Sequence, residues 1–416
     1  MGPSRRTSTA TTAALAAAVL GLGGCAEGEV AAPGTAAPPA SAAPSSQVPD
    51  TPDETTAPAD PGTASVPPSP EPEPEPEPSS TFAEVGAAGT PDVAAAEDLA
   101  TGLDVPWDLA FLPDGSALVT LRDEARVVHL DPDGTVSPVQ ADGDGGAVAG
   151  PAPDGEGGLL GVTTDATAQH VFLYLTAEDD NRVVRYAWDR ERLALTEPTT
   201  VLAGIPKAEV HNGGRIDLGP DGHLYVATGD ARDTGAAPDT GSLAGKVLRV
   251  TTDGDPAPGN PEPGSPVWTS GHRNVQGLGW SSDGTMWAAE FGQNTTDELN
   301  VLVAGADYGW PEVEGVGEVD GLTDPVVTWG TDEASPSGLA VTDDAVYLAA
   351  LQGERLWRVP VADGEVTGEP EPVLEDLGRL RHVEVAPDGS LWVLTSNTFR
   401  GDPREGDDRV VRVPLG

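Results

Sequence analysis

A chain of 416 residues has room for two or three average domains or for one large repeat domain. Its 52 glycines and 41 prolines exclude a protein built from long helices, and its formal charge of −46 excludes a nucleic-acid binder, which needs Lys and Arg to displace counterions. One cysteine, Cys25, excludes a disulfide framework, and only the alanine-rich N-terminus approaches the ~20 apolar residues of a membrane span.

The first element, residues 1–25, reads as an address. Arg5 and Arg6 precede an apolar run from Ala10 to Leu22, and small residues follow in Leu22-Gly23-Gly24-Cys25. A basic start, a short apolar stretch and small residues before a cut site make a secretory signal peptide. With the cysteine at the cut it resembles a bacterial lipobox, in which the Cys is lipidated and becomes the mature N-terminus. That implies an extracytoplasmic lipoprotein anchored to the membrane at the cell surface, acyl chains supplying ~0.8 kcal/mol per buried CH₂.

Residues 26–92 read as a tether. Fifteen prolines and no aromatic residue lie between Ala26 and Thr81, and no Lys or Arg lies between Arg6 and Arg122. The alternation of Pro and Glu from Pro70 to Pro78 favours extended polyproline II, stiffened by like-charge repulsion. Such a segment buries too little apolar surface to offset its ordering entropy, so disorder is expected.

The texture changes in residues 93–416. A unit made of an apolar strand, an Asp-Gly turn and a second apolar strand recurs. It runs Trp107 to Thr120, Gly214 to Ala227, Gly277 to Ala289 and Val383 to Leu394. Weaker copies pair Leu160–Thr163 with Val171–Tyr174 and Leu339–Thr342 with Val346–Ala349. Six units of ~50 residues are the scale of propeller blades, and the Asp-Gly turns supply the positive φ of tight hairpins. The expected fold is therefore all-β, a six-bladed β-propeller, with residues near Val93 to Val105 adding a strand to the last blade and closing the ring.

Four segments carry more reactive groups than turns require. In Glu209-Val210-His211-Asn212-Gly213-Gly214-Arg215 a histidine sits beside glycines that let backbone approach a ligand. Thr228-Gly229-Asp230 ends the paired strand of that blade, so Asp230 is placed to accept the proton of the other His211 nitrogen, a base with its orienter. Gly271-His272-Arg273-Asn274-Val275-Gln276 offers a guanidinium fork for a carboxylate or quinone oxygen. The loop from Glu290 through Gly292, Gln293 and Glu298 to Asn300, with Tyr308 after it, is rich in the oxygen ligands that Ca²⁺ prefers. Finally, strand alternation puts Arg379 and Arg381 on one face, which suits an anionic ligand.

Taken together, these pieces resemble the aldose sugar dehydrogenases that depend on pyrroloquinoline quinone (PQQ), the glucose/sorbosone dehydrogenase type. The resemblance also runs through Pro106-Trp107, Glu156-Gly157-Gly158-Leu159-Leu160-Gly161, Gly245-Lys246-Val247-Leu248-Arg249 and Tyr308-Gly309-Trp310-Pro311, in family order from about residue 100 to 416. It implies a six-bladed propeller with His211 as general base and Asp230 as its orienter. It implies that Arg273 and Asn274, with Gln276 close by, contact the quinone, that Glu156 lies beside the substrate, and that Arg379 and Arg381 face the cofactor's carboxylates. The carbonyls of Gly292 and Gln293 would hold a catalytic Ca²⁺, and Glu298 and Tyr308 a separate structural one.

The chain departs from the pattern in three places. Gln293 replaces a proline of the calcium loop, Phe291 stands where some members have Gln, and Gln352 stands where some have a lysine aimed at the cofactor. The implied activity is oxidation of an aldose at its anomeric carbon to a lactone. No CxxCH haem-attachment motif is present, so the electrons would leave to an external acceptor. Two other classes remain on the sequence alone. One is a propeller that binds glycans or cell wall without turnover; the other is a Ca²⁺-dependent lactonase.

Overall fold

The computed structural model describes residues 87–416; the expected signal peptide, Cys25 and most of the expected tether lie outside them. Six antiparallel sheets follow one another along the chain, each opening on an inner strand. The inner strands are Pro106–Phe111, Leu159–Thr164, Ile216–Leu218, Val275–Trp280, Pro336–Val341 and Leu380–Val385. The two weaker sequence copies are thus true blades, the second and the fifth. The only helices among the described residues are three short 3₁₀ turns, Val93–Ala95, Asp144–Gly146 and Thr234–Ala236.

The hairpins form where the Asp-Gly turns predict. Gly115 takes φ 87° and donates to the Leu112 carbonyl, while the Asp114 carboxylate accepts the Ser116 N–H at 3.1 Å. The same positive φ recurs at Gly222, Gly284 and Gly389, where a side chain would strain the backbone. Alternation along each strand then sends apolar residues against the neighbouring blades. Leu160, Phe172 and Tyr174 of the second blade meet Ile216, Leu224 and Leu248 of the third. Trp287 and Leu299 of the fourth meet Leu339 and Leu348 of the fifth. Each such fully buried side chain contributes roughly 1.5–3 kcal/mol, and each blade draws that stabilisation from its two neighbours.

The ring closes as the sequence predicts. Glu97–Thr101 pairs antiparallel with Arg409–Val413, with Glu97 opposite Arg412 and Thr101 opposite Arg409, completing the sixth blade. Contact with the propeller begins even earlier than residue 93: Ala87 accepts the Asp343 N–H, and Thr90 and Gly416 exchange backbone hydrogen bonds.

Inner strands present polar groups to the central axis. The Asp108 carboxylate reaches the Val162 N–H at 2.9 Å, Arg215, and His382 Nε2 at 3.2 Å, which belong to three other blades. Asp217 accepts the Thr163 hydroxyl at 3.0 Å nearby. Because the strands alternate in direction, the loop entering each inner strand and the end of each second strand lie on the same rim. The candidate residues of this rim belong to one of those two positions or, for Gln276 and Arg381, to the start of an inner strand; Glu298 and Tyr308 lie farther along the fourth blade.

Candidate active site

The centre of this rim is a histidine–carboxylate pair. His211 sits in the left-handed region at φ 63°, a conformation that the following Gly213 and Gly214 share. A Cβ at Gly213 would lie 2.5 Å from the Ala227 carbonyl oxygen, so glycine lets this loop press against the second strand of its blade. That contact brings His211 Nδ1 to 2.8 Å from Asp230 Oδ1, as the sequence predicts. Asp230 is almost wholly buried, while His211 keeps 18% of its side chain open. Burial pushes the Asp230 carboxyl up, but hydrogen bonds from His211 and the Arg232 N–H, the His211 charge and the Trp310 indole outweigh it and hold it below the usual value.

Arg273 lies against the other edge of the imidazole, with Nη2 at 2.8 Å from His211 Nε2 and Nη1 at 3.2 Å from the Phe291 carbonyl. Burial lowers its affinity for its proton, and its Nε has no partner among the described residues. Asn274 is drawn in from the fourth blade, its Oδ1 accepting the Gly213 N–H at 3.0 Å. Gln276 accepts from Arg381 Nη1 at 2.9 Å and from the Ser337 hydroxyl at 3.1 Å. Glu156 accepts the His211 N–H at 3.4 Å and ion-pairs with Arg400 at 2.6 Å, beside the base.

Arg379 and Arg381 enter from the sixth blade. Arg381 is fully enclosed and its guanidinium is pushed down to about 9, by burial first and then by Arg122 and Arg379. The Nε atoms of both residues are buried without a partner. Gln352 lies exposed in the turn after Ala345–Ala350 of the fifth blade.

The loop after Met286–Glu290 is organised by one carboxylate. Glu314 Oε1 accepts the N–H groups of Gln293 at 2.6 Å, Asn294 at 2.8 Å and Thr295 at 3.0 Å. In a trans peptide the carbonyl points opposite to the next N–H, so the Gly292 and Gln293 carbonyls both turn away from Glu314. Glu298 lies deeper, accepting the Gly315 N–H at 2.7 Å, and burial with the nearby Glu290 charge pushes it up to about 7. The Tyr308 hydroxyl donates to the Val301 carbonyl at 2.6 Å and accepts the Val303 N–H at 3.0 Å, so the Tyr308 carbonyl is the better placed ligand atom. Among the described residues no group of three or more His, Cys, Asp or Glu side chains has metal-holding geometry.

Three supporting residues are given no role by the sequence. Glu290 takes His272 Nδ1 at 2.7 Å and the Arg273 N–H, fixing the segment that aims Arg273. Trp310 donates its indole N–H to Asp230 Oδ2 at 2.9 Å and lies 5.7 Å from the Arg273 guanidinium. Arg122, fully buried, leaves the end of the second strand of the first blade. The Glu-Phe-Gly motif and the Tyr-Gly-Trp-Pro motif mark where Glu290 and Trp310 stand; nothing local marks what they touch.

A propeller rim that sets a hydrogen-bonded histidine–carboxylate pair among convergent guanidiniums can hold an anionic ligand beside an imidazole. Residues 103–401 match the family model described as glucose/sorbosone dehydrogenase. The chain belongs to that family and is by that membership a sugar dehydrogenase. The PQQ-bound aldose sugar dehydrogenase structure from Streptomyces coelicolor is 48% identical, with a TM-score of 0.74 over 79% of this chain and 99% of that one. The aldose sugar dehydrogenase YliI of Escherichia coli is 31% identical over 74% of this chain and 91% of its own length. Quinoprotein glucose dehydrogenase B of Acinetobacter calcoaceticus is 29% identical over 52% of each chain.

Proposed function

We propose that this protein oxidises aldose sugars at the anomeric carbon to lactones, using PQQ and Ca²⁺, and passes the electrons to a separate acceptor. The observation that carries this reading is the imidazole held between Asp230 and Arg273 at 2.8 Å on each side, beside buried guanidiniums whose Nε atoms have no partner among the described residues. Unmatched buried donors are costly unless an anionic ligand takes them, so the site fits the carboxylates and quinone oxygens of PQQ.

When bound, PQQ supplies a hydride-accepting ortho-quinone and Ca²⁺ polarises its oxygens. The protein's part is orientation and proton handling. With Nδ1–H given to Asp230, Nε2 is the accepting nitrogen; Arg273 donates to it here and would turn to the bound quinone, freeing that lone pair to take the proton of the sugar's anomeric hydroxyl. Asp230 fixes the tautomer and stabilises the imidazolium that forms. Arg273 and Asn274 hold the quinone end, with Gln276 behind them, and Arg379 and Arg381 hold the carboxylates. Glu156 lies where a sugar hydroxyl would hydrogen-bond. The Gly292 and Gln293 carbonyls, turned away from Glu314, would hold the catalytic Ca²⁺, and Glu298 with the Tyr308 carbonyl the structural one.

The same reading places the enzyme outside the cytoplasm, with residues 1–25 as a lipoprotein signal, Cys25 as the anchor and residues 26–92 as the tether of a catalytic domain spanning 93–416. The test is reconstitution of the purified protein with PQQ and Ca²⁺ against an aldose panel, with dye reduction as the readout. Dye reduction that requires both PQQ and sugar is expected. Lactone hydrolysis without PQQ, or sugar binding without turnover by the PQQ-loaded protein, would overturn the proposal.

A further inference from the structure

Arg122 is a buried cation that the reading above leaves without a task. It follows Ala117–Leu121, the second strand of the first blade, on the rim that carries the site. Its side chain is 2% exposed, and its Nε and Nη2 bond Asp123, whose own side chain is 42% exposed. Nη1 has no hydrogen-bond partner among the described residues. The guanidinium lies 3.8 Å from the centre of the Phe399 ring, which fixes its plane. On its other side a Cβ at Gly158 would fall 2.8 Å from Arg122 Cγ, so the loop of Glu156 passes tightly against it.

The charges at this spot do not balance. Phe399 leads on to Gly401, where a Cβ would fall 2.7 Å from Arg379 Cδ, so Arg122 and Arg379 share this corner of the rim, and both depress the proton affinity of buried Arg381. Arg381 hydrogen-bonds only neutral partners, Gln276 and Ser337, and the Arg379 guanidinium only the Leu351 carbonyl. The carboxylate of Glu156 is already paired with Arg400. Exposed Asp123 is the one carboxylate bonded to the three. A chain with a formal charge of −46 has acidic residues in abundance, yet bonds no buried carboxylate to this cluster; Glu354 and Glu156 act on it only through space. Buried like charges without a counter-ion are unfavourable, and a bound polyanion relieves them.

We infer that Arg122 is a third cationic anchor for the carboxylates of the bound cofactor, supplying the charge that Gln352 does not. The inference rests on the reading that this site takes PQQ. It divides the work among three blades. Arg273 of the fourth serves the quinone end, while Arg379 and Arg381 of the sixth and Arg122 of the first close on the carboxylates from both sides of the seam.

The experiment is titration of PQQ into the apoprotein, followed by tryptophan fluorescence and by the melting temperature, for wild type, Arg122→Gln, Arg122→Lys and Asp123→Asn. Loss of one charge-assisted contact predicts a Kd about 10–100-fold weaker for Arg122→Gln, with Arg122→Lys between it and wild type. Removing one of three repelling charges should leave the melting temperature of the apoprotein no lower, while the rise produced by PQQ shrinks. Asp123→Asn frees the guanidinium from its surface partner and should tighten binding. An Arg122→Gln protein that binds PQQ as wild type does overturns the inference. Should that variant fail to fold, unchanged or weaker binding by Asp123→Asn overturns it instead. If wild type binds no PQQ, the cofactor reading falls and this inference with it; wild-type binding with an indifferent Arg122→Gln removes the inference alone.

Discussion

The Nε2 of His211 and the Nη2 of Arg273 stand 2.8 Å apart, with Asp230 at 2.8 Å on the opposite ring nitrogen. An arginine donates only, so Nε2 must be the accepting nitrogen and Nδ1 the protonated one. Arg273 therefore occupies the Nε2 lone pair here, and the base is freed when the guanidinium turns to a bound anion. A positioned base typically contributes ~10²–10⁴ in rate, so His211→Ala should lose sugar oxidation by about that factor while PQQ still binds. Full activity in a PQQ-loaded His211→Ala protein would place the base elsewhere.

Arg379→Ala and Arg381→Ala should act on the cofactor and not on proton transfer. Each removes a charged donor to a bound anion, which predicts a PQQ affinity ~10-fold or more weaker, with turnover at saturating PQQ little changed. Salt should weaken binding in the wild type more than in either variant. Equal affinity across the three proteins would contradict the assignment.

Trp310→Phe should slow turnover without weakening PQQ. The indole N–H bonds the Asp230 oxygen that His211 does not use, at 2.9 Å, so its loss frees the carboxylate to rotate. One hydrogen bond of about 1 kcal/mol corresponds to a ~5-fold fall in kcat. A changed PQQ Kd with unchanged kcat would assign the tryptophan to the cofactor instead.

Asp217 ties stability to pH. Although it keeps some surface toward the axis, the surrounding blades shut out bulk water, and burial followed by the Asp108 charge raises its carboxyl from 3.8 to about 6. The folded state then binds this proton more tightly than the unfolded chain, so stability falls as pH climbs from about 4 to about 6 and is level above. Asp217→Asn keeps the oxygen that accepts from Thr163 and cannot ionise. It should flatten that slope and be more stable at pH 7.5 by roughly 1–3 kcal/mol, measured by denaturant melts. Identical slopes in the two proteins would refute this account.

Detergent partitioning of wild type and Cys25→Ala tests the anchor. The wild type should enter the detergent phase and the variant the aqueous phase. Equal partitioning of both would rule out lipidation at Cys25.

The blades were legible because strand alternation and Asp-Gly turns are local signals, repeated in every unit. Even the weak pair Leu339–Thr342 and Val346–Ala349 falls on the paired strands Pro336–Val341 and Ala345–Ala350. The His211–Asp230 pair was legible for a related reason, since its members flank two strands of one hairpin. Trp310 and Arg122 were not. Trp310 is 80 residues from Asp230 along the chain and approaches it from the next blade, and Arg122 of the first blade stacks on Phe399 of the last. Contacts between blades depend on the closed circle, which no window of sequence contains.

The seam has a further consequence. Thr90 and Gly416 hydrogen-bond one another, so the two ends of the folded chain are neighbours, although the strands they lead into, Glu97–Thr101 and Arg409–Val413, are synthesised first and last. A chain that stops short of Arg409 is an open arc with raw strand edges at both ends, prone to pair with other copies of itself. A short linker from Gly416 to Thr90, with new termini cut into an exposed Asp-Gly hairpin, would yield the same circle by another order of assembly.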